Sequence, residues 1–526
     1  MKKVKKRNSV LYLLRYKNLA KEVENYGSKL TVKGLLKTYV IVLSLCVMIG
    51  YLYKIPTYGY IAILLTGLLI LPEVILSSCR AVYEKNRFYE TQKYMTKMLY
   101  YFQRSEKILD SLKSASEIFK SGDMSVVINK AIKYIEGEAD EDEVDKTLSD
   151  SKEDEADKTL SDTIESRALK IIEKRFPNEK IRTIHKFMLS IEYQGGDPTF
   201  GTQMLLQSNN CWIKRVRKLQ QQLTSVHKNN IAAIFVLLIL CVVMTRLSDF
   251  VPSISNYLDI SNNLYVQVSA VILIMTMLLF YKSASKKMCI NWIEEQAERT
   301  NEEWEKEYQD YVNYDKQKEK TKSMIHAAIS LLISAVLYFL TKSILVLAIG
   351  FVITIFLSQT YKIGYQIVEK NVKKEINKAF PAWLINVALL MQHENVQMAI
   401  LKSYDNAPGI LRVPIENMLT ELDDDPNASD PFLNFAKEAN VPDITDAVSG
   451  LYSISQAAGG NVEMEFKAIL ETNNELMDIA EQEKNEDTLA MFDSGMKVPA
   501  FFGTAKLLVD AVVLLMTFLS VSNSFL

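Results

Sequence analysis

Seven apolar runs, each close to the length of a membrane-crossing helix, constrain this chain more than anything else in its 526 residues. They are Leu35 to Tyr53, Tyr58 to Leu76, Asn230 to Leu247, Leu264 to Tyr281, Met324 to Leu340, Ile344 to Gln359 and Phe501 to Val521. Roughly 17 to 25 apolar residues cross a bilayer as a helix, because a helix satisfies its own backbone N–H and C=O groups where no water can. A multi-pass membrane protein is therefore expected. The fifth and sixth runs are the shortest, and only Thr341, Lys342 and Ser343 part them. Read as a tight hairpin they bring the crossings to seven; read as one broken segment, to six. The hairpin is the favoured reading.

Charge orients the crossings. Lys2, Lys3, Lys5, Lys6, Arg7, Arg15, Lys17, Lys33 and Lys37 precede or open the first run, and basic flanks are retained on the cytoplasmic side. That run begins too late for the core of a signal peptide, and no small-residue cleavage pattern follows it. With the N-terminus inside, seven crossings leave only Lys54 to Thr57, Ser248 to Asn263 and Thr341 to Ser343 outside, together with the C-terminus. These links hold two lysines, whereas the strongly basic segments fall inside, so charge and crossing count agree.

An internal repeat organises the rest. Each half reads as two crossings, a long cytosolic block and another crossing, and the fourth crossing joins the halves. Gly195-Gly196 precedes Asn209-Asn210 by the same interval that separates Gly459-Gly460 from Asn473-Asn474, an offset of 264, and Leu206 matches Leu470. Nearer the start of each block, Ile108 to Leu112 aligns with Val396 to Ile400 at an offset of 288, so the first block carries 24 extra residues. They fall in the acidic stretch 137–162, where Asp145-Lys-Thr-Leu-Ser-Asp150 recurs as Asp157 to Asp162. Dense like charge with few apolar residues does not offset chain entropy, so disorder is expected there.

The expected architecture is all-α: a polytopic protein with about seven transmembrane helices and two cytosolic domains of six helices each. In order these are a basic amphipathic N-terminal segment (1–34), a transmembrane hairpin (35–80), the first helical domain (81–229), two crossings (230–281), a charged helical connector (282–322), a second hairpin (323–360), the second domain (361–496) and a last crossing (497–526). In the second domain, helices are expected near Val372 to His393, Val396 to Asn406, Val413 to Leu422, Pro431 to Glu438, Ile444 to Ala457 and Val462 to Asn485. The connector reads as one amphipathic helix from Ser283 to Thr321, its Trp292, Trp304, Tyr308 and Tyr311 packed on the domains.

No common catalytic pattern is complete. The chain has no Gly-x-x-x-x-Gly-Lys-Ser/Thr loop to cradle nucleotide phosphates. His393-Glu394-Asn395-Val396-Gln397 places glutamine where a zinc-peptidase helix needs its second histidine, and the five cysteines lack paired spacing. Gly195-Gly196-Asp197 reads as a helix-joining turn, not an intramembrane peptidase motif. No basic cluster interleaved with aromatics suggests nucleic acid. No enzyme, cofactor or metal is expected. Four glycines, Gly195, Gly196, Gly459 and Gly460, are marked as structural turns, since glycine permits conformations other residues resist. One intramembrane pair stands out: Lys506 and Asp510, an i, i+4 pair on one helix face, placed in the cytosolic third of the last crossing.

The second block resembles the type II secretion system F domain, found in inner-membrane platform proteins of type II secretion and type IV pilus machines. The resemblance rests on Phe380-Pro381 to Leu390, the turn His393 to Asn395 leading into Val396 to Leu401, and Ala457-Ala458-Gly459-Gly460 before a long amphipathic helix. The first block keeps Gly195-Gly196 but has Tyr94 in place of the Pro region. A hairpin before each domain is most similar to the tight-adherence (Tad/Flp) branch, as though its two platform proteins were fused. The resemblance implies a prokaryotic cytoplasmic-membrane platform, homo-oligomeric, working with a separate cytosolic hexameric ATPase and pilin-like subunits, with no catalytic residues to carry over. A polytopic transporter or channel with cytosolic regulatory domains is the alternative.

Overall fold

The computed structural model describes residues 10–138, 163–250, 259–293, 299–341, 344–456 and 462–524, and every regular element among them is helical. The chain opens with α1 (Val10–Leu13) and α2 (Tyr16–Glu24), whose Leu13, Leu19 and Val23 are buried against Leu35, Leu76 and Cys79. Their apolar face is thus spent on protein. The first crossing, α3 (Val32–Leu52), starts where the Thr31 side chain accepts the Gly34 N–H, a cap that satisfies one of the helix's unpaired donors.

The next helix does not stop at the membrane surface. α4 (Thr57–Ser105) runs 49 residues, through the second crossing and on into the first domain. There follow α5 (Ile108–Ile118), α6 (Asp123–Ile135), α7 (Ile164–Arg175) and α8 (Glu179–Gln194). The 48-residue α9 (Pro198–Thr245) then leaves the domain and becomes the third crossing without a break. Most of the expected acidic insert, residues 139–162, lies outside the described residues.

A short α10 (Leu247–Phe250) leads to α11 (Leu264–Lys287), the fourth crossing. The connector is not the single helix expected. α11 already reaches Lys287, α12 covers Asn301–Val312 behind a capping box of Thr300 and Glu303, and α13 begins at Lys316. Self-satisfied ends explain the division, because each capped terminus removes the reason for the helix to continue. As expected, Trp292, Trp304, Tyr308 and Tyr311 pack on the domain core.

The second half repeats the plan of long helix, short helices, long helix. α13 (Lys316–Thr341) and α14 (Ile344–Leu390) lie antiparallel, with Ser323 Oγ 3.0 Å from Thr360 Oγ1 and Gly350 seated on Ser334. Then come α15 (Val396–Tyr404), α16 (Gly409–Asp424), α17 (Asp430–Leu433), a 3-10 turn (Lys437–Ala439) and α18 (Pro442–Gln456). The 63-residue α19 (Val462–Ser524) returns to the membrane. At all four domain boundaries the helix is continuous, so the first and last helices of each domain run on into apolar segments. Apolar periodicity changes at the bilayer surface, but nothing in the backbone need break there.

Six helices among the described residues are long and apolar enough to cross a membrane: α3, α4, α9, α11, α13 and α19. The run Ile344 to Gln359 is helical and pairs with α13; the side chains of residues 344–349 lie outside the described ones, and the six do not include it. Five of the six, α3, α4, α9, α11 and α19, share one apolar cluster that includes Cys46, Tyr53, Ile63, Cys241, Ala270, Leu273, Phe502 and Leu507. Glycines set the close approaches: a Cβ at Gly50 would strike the Tyr60 ring, and one at Gly59 would strike Val271. Outside the membrane segments a single contiguous core runs from Phe88 in the first domain to Met477 in the second.

Candidate functional site

Two places concentrate polar chemistry against apolar surroundings: the middle of α19, and the seam between the two helical domains. At the first, Lys506 and Asp510 are an ion pair with side chains 1% and 0% exposed. Their i, i+4 spacing puts both on the face of α19 that meets α9. Lys506 Nζ also donates to Thr245 Oγ1 at 3.0 Å, and the Thr245 hydroxyl, 3.4 Å from Asp510 Oδ2, donates to the Cys241 carbonyl at 2.9 Å. The Tyr53 ring lies 5.7 Å from Lys506 Nζ, while its hydroxyl donates to the Leu238 carbonyl at 2.9 Å.

This location corrects the sequence expectation. Thr245 is the last residue of α9 and Tyr53 caps α3, so the pair sits at the ends of the crossings farthest from the helical domains, not in the domain-side third. The domain-side level is marked instead by Glu73 and Lys282, 2.8 Å apart, and by Phe492 beside His227. The start of the apolar run does not mark depth, because α19 enters the bilayer in the middle of a continuous helix. The arrangement lets the two buried charges neutralise each other and locks the register of α19 on α9. Asp510 Oδ1 is buried with no hydrogen-bond partner among the described residues.

The second place is the domain seam. α9 and α19 run parallel, with Ser208 touching Met477 at 3.5 Å, Cys211 Sγ 3.8 Å from Asp478 and Arg215 ion-paired to Asp478. At the top of α9, Gly195 and Gly196 have φ of 82° and 115°, the left-handed region expected of turn glycines. Asp197 then caps the helix by accepting the Thr199 N–H at 2.8 Å, which holds its carboxyl below the usual carboxylate range. Gly196 has a further role. A Cβ there would lie 2.8 Å from His393 Cε1, so the turn of the first domain abuts the turn of the second. His393 is in that turn and not on a helix with Gln397, which removes the zinc-peptidase geometry. Gly459 and Gly460 lie outside the described residues.

The connector straps both domains. Asn178 Nδ2 donates to the Ile293 carbonyl at 2.7 Å in the first; in the second, Gly409 N donates to Asn301 Oδ1 at 3.1 Å and Tyr311 OH to the Glu438 carbonyl at 3.0 Å. Sequence reasoning missed one buried network. Tyr94 of α4, His185 of α8 and Glu173 of α7 are joined by hydrogen bonds of 2.8 and 2.7 Å, with His185 1% exposed. Burial works to raise the Glu173 carboxyl, but the His185 hydrogen bond and charge, with Arg182 and Lys186, outweigh it and hold the carboxyl below its ordinary value. Nothing in a single sequence marks these three residues as neighbours. The network ties three helices together.

Among the described residues no group of three or more His, Cys, Asp or Glu side chains is placed to hold a metal ion. Comparison with protein-family models, curated proteins and solved structures found no match. Among the described residues six apolar helices are long enough to span a membrane, consistent with a multi-pass membrane protein.

Proposed function

We propose that this chain is a membrane platform protein of a pilus or pseudopilus assembly or protein secretion machine, coupling a separate cytosolic hexameric ATPase to the assembly of pilin-like subunits. The observation that carries this reading is the continuity of the four long helices. Each helical domain is entered by a helix that begins in an apolar run (α4, α14) and left by one that ends in another (α9, α19). In a domain built this way the helix runs on from the surface a cytosolic motor would grip into the segment in the bilayer, with Pro72 in α4 and Pro499 in α19 each removing one backbone hydrogen bond near that passage. Displacement of either domain is carried directly into the membrane.

The likeness of the two halves supports an internal duplication. Long helix, short helices and long helix follow in the same order in each, and the glycine turn at Gly195-Gly196 stands 264 residues before Gly459-Gly460. Counting the α13–α14 pair as a hairpin gives seven crossings, both domains on the cytoplasmic face with the N-terminus, and a cytoplasmic membrane location in a prokaryote. The absence of any completed catalytic pattern in the sequence fits a scaffold whose work is binding. Homo-oligomerisation belongs to the same proposal.

The test is removal of residues 372–485, the core of the second domain, with the membrane helices rejoined by a short linker. The platform reading expects loss of both filament or pseudopilus assembly and ATPase recruitment. Assembly and recruitment that persist without the domain would sink it. The alternative of a transporter rests on the buried Lys506–Asp510 pair. It expects solute flux in reconstituted vesicles that Asp510→Asn abolishes.

A further inference from the structure

The crossings of the five-helix bundle are short, and α19 overshoots them. Charged or helix-end layers lie about 24 to 27 Å apart along four helices, from Lys37 to Lys54, Thr57 to Glu73, Lys228 to Arg246 and Leu264 to Lys282, at 1.5 Å per residue. That is less than the ~30 Å of a hydrocarbon core. At the end away from the domains the layer is an ion-paired cluster. Asp249 lies 3.1 Å from Lys54 and 3.0 Å from Arg246, and Arg246 also donates to the Leu52 and Tyr51 carbonyls at 2.9 and 2.7 Å.

On α19 this layer corresponds to Asp510, beside Thr245, and to Val513, which packs on Ile260 and Val266. Yet α19 continues to Ser524, about 15 Å beyond Leu514. The extension is apolar and bare: Leu515, Met516, Phe518 and Leu519 are 58, 65, 59 and 52% exposed. They continue the outward stripe that Phe501, Leu508 and Val512 form lower on the same helix, alongside the bundle. That lower stripe faces lipid on any reading in which the bundle is embedded. Its continuation past the charged layer means a flat bilayer cannot match both: centred on α19, it would bury Lys54, Arg246 and Asp249 in hydrocarbon, and centred on the bundle it would leave four large apolar side chains in water.

We propose that the bilayer resolves the conflict by bending, so that acyl chains of the domain-distal leaflet cover Leu515 to Leu519 while water and headgroups descend to the Lys54–Arg246–Asp249 layer about 7 to 14 Å below them. The occupant of the exposed α19 surface is lipid. A short helix draws the membrane in at modest cost per ångström, whereas an unsolvated charge or a bare apolar helix costs far more. The bundle therefore stands in a one-sided depression whose rim is held up by α19. This inference stands on the membrane reading alone. For the platform reading it shortens the path on which a membrane-anchored subunit exchanges lipid for water.

The test uses the full-length chain with its five cysteines replaced by alanine and single cysteines introduced as Thr57→Cys, in the depression, or Leu519→Cys, on the extension; Met516→Cys is a second probe of the extension. The purified protein is reconstituted in dioleoylphosphatidylcholine vesicles opened from both sides and treated with a membrane-impermeant maleimide. Position 57 is expected to label at least tenfold faster than 519 or 516, and a spin label at 519 is expected to be relaxed by dissolved oxygen more than by a water-soluble nickel chelate. Equal rapid labelling at both levels would mean that the extension projects into water and would overturn the proposal. So would protection at both, which would place the charged layer in hydrocarbon. A disulfide-linked dimer of the Leu519→Cys variant would assign the surface to a second copy, and protection in native membranes that is lost in pure lipid would assign it to another protein; either also overturns it.

Discussion

Lys506 and Asp510 show what a charge pair inside a membrane protein does energetically. Each alone would be an uncompensated charge; together they neutralise each other and, with Thr245, fix α19 on α9. Lys506→Met alone is expected to lower stability by about 3–5 kcal/mol, because it strands Asp510, whereas Lys506→Met with Asp510→Leu recovers most of the loss. Thermal unfolding of the purified protein in detergent separates these outcomes, and a double variant no better than the single one would contradict the latch. The buried Tyr94–His185–Glu173 network makes a second prediction with a defined sign. Since the folded carboxyl of Glu173 lies below its ordinary value of about 4.5, its contribution is fully present above that pH and is lost as pH falls through the lower folded value. The stability gap between wild type and Glu173→Gln is therefore expected to be widest near neutral pH and to close in acid. The two sites differ in how far the sequence revealed them. An i, i+4 Lys–Asp pair in an apolar run is visible without a structure, although its depth is not. Three polar residues on three helices become neighbours only through tertiary packing.

At the scale of elements, apolar runs announced the crossings, and turn residues such as Gly195-Gly196 and Asp430-Pro431 announced the ends of domain helices. The points where helices fail to end carried no such signal. A helix leaving the bilayer keeps its hydrogen bonds and changes only its side chains, so Lys228-Asn229-Asn230 in α9 reads as a boundary in composition while being mid-helix in fact. The fusion of crossing and domain helix is testable there. Lys228→Pro removes one backbone hydrogen bond and clashes with the preceding turn, at about 3 kcal/mol or more. Amide exchange is expected to rise around residue 228 while α8 and α11 stay protected. If rigid transmission is what the domain does, filament assembly is expected to fail although the protein still inserts. Lys228→Ala, which keeps the helix, serves as the control and is expected to assemble normally.

For the whole molecule, the two domains are one body more than the repeat in the sequence suggested. Their cores are contiguous from Phe88 to Met477, Gly196 abuts His393, Lys186 reaches Asn406 at 3.1 Å, and the α9–α19 seam continues from Ser208–Met477 down to the intramembrane pair. Sequence periodicity could place each domain on the same side of the membrane but could not tell whether they touch, because an interface between two helical domains uses the same apolar spacing as a core within one. The α13–α14 hairpin is the exception to this unity. Its outward residues Leu332, Phe339, Val352 and Phe356 are 65, 79, 65 and 61% exposed, and it joins the rest chiefly through the domain end of α14. If the halves are held by their packing and not by the connector, the chain can be cut between Ile293 and Arg299 without falling apart. Residues 1–293 and 299–526 expressed as two chains are expected to co-purify in equal amounts from detergent extracts. Arg215→Glu, which sets two acids against each other at the seam, is expected to weaken that association, and adding Asp478→Arg to restore it. Halves that insert separately and never co-purify would show that the covalent connector, and not the shared core, holds the domains in register.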